Sequence, residues 1–342
     1  MPPLSDSHAH LLSAARVHVR DILTHAIQHT PEQPALVVSD GNCDLARILT
    51  EAYAHCLPNA AQLCFDSLAA SQILEAIAAL PPGALVVLIQ STSFRLGEFR
   101  IRVELFKRGL KVIEHPHLAR MLAAEYPTYI DALAYDPAYY RVIGAELKRR
   151  IDSASGAIVR GGGEQLVYES GFEQAKLNVG DYSRLANVGG QFPIGEVFTE
   201  PLDLERVHGR VRIFLFGDVD FCVNVPDAPI CLEIARGKVV NVFDSTPDFD
   251  RVIAQISAVE EVWVRELGFG MNRALSPQRR VSDIGTYERM CGIHLSLGAK
   301  HGVYAKPNLN RRHSRFHVDV FAITDEVVLN DEIVFRDGQW CV

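Results

Sequence analysis

From Pro34 to Pro116 the chain alternates short apolar runs with helical stretches. In order these are PALVVSD, a helix over Leu45 to Ala54, AAQLCFD, a helix over Leu68 to Leu80, ALVVLIQST, a helix over Glu98 to Arg108, and LKVIEHP. Apolar runs of this kind suit strands buried on both faces, and helix-length connections set successive strands parallel. The stretch therefore predicts an α/β fold: a Rossmann-like parallel-sheet layer domain with helices on both sides. Its first turn, SDGNCD, lacks G-x-G-x-x-G, so a dinucleotide role is not expected. Upstream, residues 7 to about 30 have helical apolar spacing, with Ser5, Asp6 and Ser7 as candidate N-caps. His8 and His10 form an H-x-H pair, but no apolar strand leads into it, so it is not read as a metal site. A helix-rich stretch from Thr128 to Ala154 closes the layer.

At Gly156 the pattern changes. GAIVRGGGEQLVYESG reads as a hairpin around Gly161-Gly162-Gly163, and strands such as VRIFLFG, ICLEIARGKVVNVF and DEIVFRDGQW follow, with a helix near Phe249 to Val259. The expected division is residues 1–155 for the layer domain and 156–342 for a strand-rich α/β domain. The 342 residues, 48% hydrophobic, supply ample core. No apolar run approaches bilayer length and MPPLSDSHAH lacks the layout of a secretory signal, so a cytoplasmic protein without membrane contact is expected. The seven cysteines are scattered with no C-x-x-C pair, so any metal must use His, Asp, Glu or Tyr. A formal net charge of -8 without a dense basic block argues against nucleic acid as a partner.

The second half carries polar groups where its pattern predicts burial. In SRFHVDVF, His317 and Asp319 sit two apart in an alternating strand and so share a face. Glu196 follows a Pro-x-Gly turn in GQFPIGEVFTEP, Glu266 ends an apolar run in EVWVRELGFGMN, and His294 lies between glycines in RMCGIHLSLG. Buried carboxylates and imidazoles need a partner, because desolvating one alone costs on the order of several kcal/mol. Several such groups in one domain point to a shared site.

These motifs resemble the thermophilic-type metallo-aminopeptidases represented by aminopeptidase T and aminopeptidase S. That family carries G-E-V-F-T-x-P, E-L-G-x-G-x-N, G-x-x-H-x-x-L-G and a terminal H-x-D, found here in the same order at Gly195–Pro201, Glu266–Asn272, Gly292–Gly298 and His317–Asp319. The resemblance spans roughly Leu185 to Trp340. It implies a metallo-aminopeptidase-like catalytic domain in which Glu196, Glu266, His294, His317 and Asp319 hold two divalent ions (Zn, Co or Mn), with Glu266 bridging. A water between the ions would attack a peptide carbonyl. Glu288 matches a glutamate that precedes the histidine element, with one residue fewer between, and is the expected general base. The implied partner is a peptide substrate, and a homodimer is the expected assembly.

The family's metal-binding tyrosine lies seven residues after the histidine matching His294. That offset holds His301 here, with Tyr304 three residues further on, so the sequence leaves either or neither to fill the role, with Tyr304 carried as the expected ligand. The approach to His317 is basic (Asn310-Arg311-Arg312-His313), and only Ser314 remains of the family's Asn-x-Ser. Two alternatives stand beside the peptidase. One is a ring-cleaving dioxygenase with a single Fe(II), similar to 2,5-dihydroxypyridine dioxygenase, which has histidine in place of Glu266 and lacks the GEVFTEP glutamate. The other is a non-catalytic relative that binds a peptide or partner.

Overall fold

The computed structural model of the protein describes residues 8–95, 101–307, 309 and 313–342. Its contacts form two compact units. The first runs to Tyr140 and takes in Gly180–Ile194 and Arg280–Asp283; the second holds Arg141–Val179, Gly195–Arg279 and Ile284–Val342.

In the first unit α1 (Ala9–Asp21) continues into a π-helical turn at Ile22–Ile27. There follow β1 (Ala35–Ser39), α2 (Asp44–Cys56), β2 (Ala61–Cys64), α3 (Ala70–Ala78), β3 (Leu85–Ile89), α4 (Ile101–Lys107), β4 (Lys111–His115) and α5 (Tyr126–Ala132). The parallel sheet has the order β2, β1, β3, β4, with a fifth strand at Gly189–Gln191 beside β4. All five residues of β1 and of β3 are buried, as strands covered on both faces require. Leu36, Val38, Val86 and Leu88 pack with Ile73, Ile77 and Leu105. At the end of β4 the buried His115 lies between two phenols, with Nε2 2.8 Å from Tyr53 Oη and Nδ1 2.9 Å from Tyr129 Oη.

The second unit begins with most of α6 (Pro137–Ser153) and is built on one 14-stranded sheet. Its strands are β5 (Ala157–Gly161), β6 (Glu164–Tyr168), β7 (Lys176–Asn178), then, past the Gly189–Gln191 strand (β8), β9 (Glu196–Thr199) and β10 (Val207–Gly217). Next come β11 (Val223–Asn224), β12 (Ile230–Ala235), β13 (Lys238–Phe243), α7 (Pro247–Ser257), β14 (Val264–Gly270), α8 (Ile284–Tyr287), β15 (Gly292–Leu297) and β16 (Val318–Ala322). The hairpin β17 (Glu326–Leu329) and β18 (Glu332–Arg336) and the short β19 (Gln339–Trp340) complete the chain. The order is β19, β18, β17, β5, β6, β10, β16, β15, β14, β9, β7, with antiparallel pairing, and β11, β12 and β13 attach beside β10.

The triple glycine makes the β5–β6 turn, with Gly162 and Gly163 at φ of 59° and 83°. Two expectations differ from this picture. The division falls near Tyr140 instead of residue 155, and it is not a single cut, because Gly180–Ile194 returns to the parallel unit to supply β8. Ser5, Asp6 and Ser7, the start of the helix expected from Glu98, and Asn310–Arg312 lie outside the described residues. Among the described residues no helix is long and apolar enough to cross a membrane. All seven cysteines are free.

Candidate metal centre

Four neighbouring strands, β9, β14, β15 and β16, gather the polar groups singled out above. Glu196 pairs across from Gly270, His294 from Gly268, and Asp319 from Ser296, so the period of two places Glu196, Glu266, His294 and Asp319 on one face of the sheet. The two glycines of β14 leave that face open beneath the side chains. A bulge between Val264 and Leu267 lets adjacent residues serve different partners. Arg265 forms a buried ion pair with Glu200, while Glu266 turns to His294 and His301.

His294 Nε2 lies 3.3 Å from Glu196 Oε1 and 3.5 Å from Glu266 Oε1. The other oxygen of Glu266, Oε2, is 2.9 Å from His301 Nε2. His317, whose backbone just precedes β16, places Nε2 3.1 Å from Asp319 Oδ1, so the two do point the same way. Glu196, Glu266, His294, His301 and Asp319 are all buried.

The hydrogen bonds on the far ring nitrogens distinguish the histidines. His317 Nδ1 is 3.1 Å from the carbonyl oxygen of Lys300, which only accepts; Nδ1 therefore carries a proton, and neutral His317 offers a lone pair at Nε2. His301 is the reverse. Its Nδ1 accepts the backbone N–H groups of Val303 (3.1 Å) and Tyr304 (3.3 Å), which leaves the proton of the neutral ring on Nε2, the atom facing Glu266. His301 is thus built as a donor. The Tyr304 hydroxyl donates to the carbonyl of Gln174 at 2.7 Å, so this phenol is engaged with backbone and is not gathered with the carboxylates.

Glu288 lies next to this group. One of its oxygens accepts from Arg289 Nη1, which also donates to the carbonyl of Gly285 at 3.0 Å and lies 3.6 Å from Glu196 Oε2. Desolvation and the negative charge of Asp319 raise the Glu288 carboxyl above the usual carboxylate range, and the exposed quarter of its side chain moderates the rise. Burial works to raise Glu266 as well, but His294 and His301 outweigh it and hold that carboxyl well below its ordinary value. Burial would lower His317, yet the carboxylate of Asp319 pushes it up to about 10. With no cation bound, Glu266 and Asp319 are compensated by imidazoles, whereas Glu288 is paired with Arg289.

A divalent cation fits these residues. Both ring nitrogens of His294 and Asp319 Oδ1 are buried without a hydrogen bond, although a carboxylate oxygen stands 3.3 Å from His294 Nε2 and an imidazole nitrogen 3.1 Å from Asp319 Oδ1. Atoms that converge without bonding one another are arranged about a point between them. One oxygen each of Glu196 and Glu266 and one nitrogen of His294 all lie within 4.8 Å of one another, and hard oxygen with borderline nitrogen suits a first-row divalent ion.

Sequence reasoning had not placed Arg289, a buried cation beside Glu196, nor the Arg265–Glu200 pair. The signal for the pair was a basic residue inside a run that is otherwise fully buried, VRELGFG.

No protein-family model matches the chain and no curated protein matches it in sequence. Among solved structures the fold is similar to that of wild-type AmpT, the aminopeptidase T of Thermus thermophilus, with a TM-score of 0.56, 15% sequence identity, 96% of this chain covered and 99% of that chain. At this identity the likeness is one of fold: an α/β chain with a parallel five-stranded sheet and a large antiparallel sheet.

Proposed function

We propose that this chain is a metal-dependent hydrolase that removes the N-terminal residue of short peptides. The observation that carries the reading is the convergence of Glu196, Glu266, His294 and Asp319 from four adjacent strands, with both ring nitrogens of His294 and Asp319 Oδ1 buried without a hydrogen bond. The similarity to AmpT in fold and the order of the four motifs support it.

In this reading Glu196, Glu266, His294 Nε2, His317 Nε2 and Asp319 hold two divalent ions. Bound there, the metal supplies Lewis acidity to a water and to a peptide carbonyl. Glu266 turns Oε1 toward His294 and Oε2 toward His301, so it would be held at the metal position beside His294 while its other oxygen is fixed by His301. His301 keeps its proton on Nε2 and fixes Glu266 in place of adding a ligand. Glu288, with its raised proton affinity, takes the proton of the attacking water and passes it to the leaving amine. Arg289 spans Glu288 and Glu196 and offsets part of the negative charge gathered there.

The test is elemental analysis of the purified protein combined with release of free amino acids from a panel of di- and tripeptides. Two equivalents of a divalent metal and amino-acid release are expected. A single bound iron with oxygen consumption and no peptide hydrolysis would overturn the reading in favour of the oxygenase alternative.

A further inference from the structure

His317 is 26% exposed at its side chain, and it opens onto a cleft of about 300 Å³. The cleft is lined by Val219, Phe221, Lys300, Arg315 and Phe316 together with His317, with no carboxylate among its lining residues. In a chain with a formal net charge of -8, a pocket with two cations and no acid beside the candidate metal ligands is a local reversal of sign. Among the described residues neither Lys300 nor Arg315 has an ion-pair partner. The carboxylate of Glu260 approaches this segment but is taken up by backbone donors. It accepts the N–H groups of Arg315 at 2.9 Å, Phe316 at 3.0 Å and Ala299 at 2.9 Å.

The walls are tied in place. Lys300 N donates to the carbonyl of Phe316 at 3.0 Å, and its own carbonyl accepts from His317 Nδ1, so the segments that carry the two cations are held together at the ligand histidine. The opposite wall is the turn from β10 into β11. There Asp218 Oδ1 accepts from Asp220 N at 2.9 Å and Cys222 N at 2.8 Å, and Phe221 is held at φ of 64° with its side chain 51% exposed. A bulky non-glycine residue held in the left-handed region is strained, and such positions cluster at ligand clamps. The strained turn presents an exposed aromatic ring to the cleft.

We propose that the cleft receives the residue on the carboxyl side of the cleaved bond, with Lys300 and Arg315 binding its free carboxylate and Phe221 and Phe316 packing on an apolar side chain. At about 300 Å³ the space is at the small end of ligand pockets and has room for one residue. The substrate class is then the dipeptide with an apolar second residue, because a longer chain would put an amide where the cations require a carboxylate. This rests on the hydrolase reading for its chemistry but not for its binding.

The test is calorimetric titration of the metal-loaded protein with N-acetylphenylalanine and with its amide, two probes that differ only in the terminal carboxylate. The acid should bind at least tenfold more tightly than the amide. That preference should vanish in the Lys300→Ala, Arg315→Ala double variant, whose exposed positions leave folding intact, while Phe221→Ser should weaken acid and amide alike. Equal binding of acid and amide, or binding of neither, overturns the proposal. Turnover of Leu-Phe against Leu-Phe-amide is measured beside it. Preferential acid binding without cleavage of either peptide would sink the hydrolase reading and leave the carboxylate cleft standing.

Discussion

The imidazole of His294 lies against the backbone of Gly268 so closely that a Cβ on Gly268 would sit 2.0 Å from Cε1 and 2.1 Å from Nε2 of the ring. The ring cannot withdraw, since His294 is fully buried and its other side meets Phe321. Gly268→Ala is therefore expected to displace the nitrogen that faces Glu196 and Glu266. Overpacking of this sort costs about 1–3 kcal/mol, so the variant should melt earlier and also retain less metal than wild type. A Gly268→Ala protein with unchanged metal content would show that His294 is not a ligand in this position.

Glu266 and Glu288 should fail in different ways. Glu266→Gln removes charge that offsets the cations and is expected to strip metal from the site. Glu288→Gln keeps the shape and should leave metal content near wild type, while turnover falls by roughly a hundredfold or more, the scale for losing a positioned acid or base. Metal stoichiometry and turnover of the two variants decide the matter, and near-normal turnover of Glu288→Gln would remove it from the mechanism.

For His301 the hydrogen bonds require a donor. Nitrogen NMR of the ring at neutral pH should show the tautomer protonated at Nε2, and His301→Phe should still bind its full complement of metal. Loss of a hydrogen bond to a charged group is worth about 1.5–3 kcal/mol, so turnover should drop roughly tenfold to a hundredfold. Loss of one metal equivalent in His301→Phe would make His301 a ligand and contradict the tautomer argument.

Stability in acid should report on His115. Burial between Tyr53 and Tyr129 lowers its pKa from the ordinary histidine value of about 6.5 to about 3. Below pH 6.5 the unfolded chain takes up a proton that the folded chain refuses, so folding stability declines as pH falls from about 6.5 to about 3. The limiting slope for one proton is about 1.4 kcal/mol per pH unit. Replacing His115 with Gln removes this proton uptake, so denaturant titrations across that range should show a shallower decline than wild type. Parallel curves for the two proteins would refute it.

The parallel layer was legible because β1, β3 and β4 are continuous apolar runs separated by helix-length segments. β8 was not, since Gly189, Gly190 and Gln191 carry no apolar pattern and their strand exists only through pairing with β4, more than seventy residues away. The same non-local return is why the units interleave. In the candidate site, residue types and spacing named Glu196, Glu266, His294, His317 and Asp319, and the structure brings them to neighbouring strands. Whether His301 or Tyr304 takes part could not be read from residue types, because the answer lies in backbone groups: two N–H donors at His301 Nδ1, and the carbonyl of Gln174 at the Tyr304 hydroxyl. In GEVFTEP the sequence gives no sign of what the second glutamate does. Glu200 instead neutralises Arg265 in the interior, a pair whose disruption by removing one member would cost about 3–5 kcal/mol.

Glu196, Glu266, His294 and Asp319 are contributed by four neighbouring strands of the sheet, and His317 sits at the entry to the last of them. What preserves such a site through sequence drift is strand pairing, which side chains elsewhere can satisfy in many ways. Lengthening the loops outside β9, β14, β15 and β16 leaves the donors where they are. Deleting one residue between Glu266 and Gly268 turns Glu266 to the opposite side of the sheet while the rest of β14 stays paired. The site therefore depends on the count of residues along each strand, since that count decides which face each donor takes.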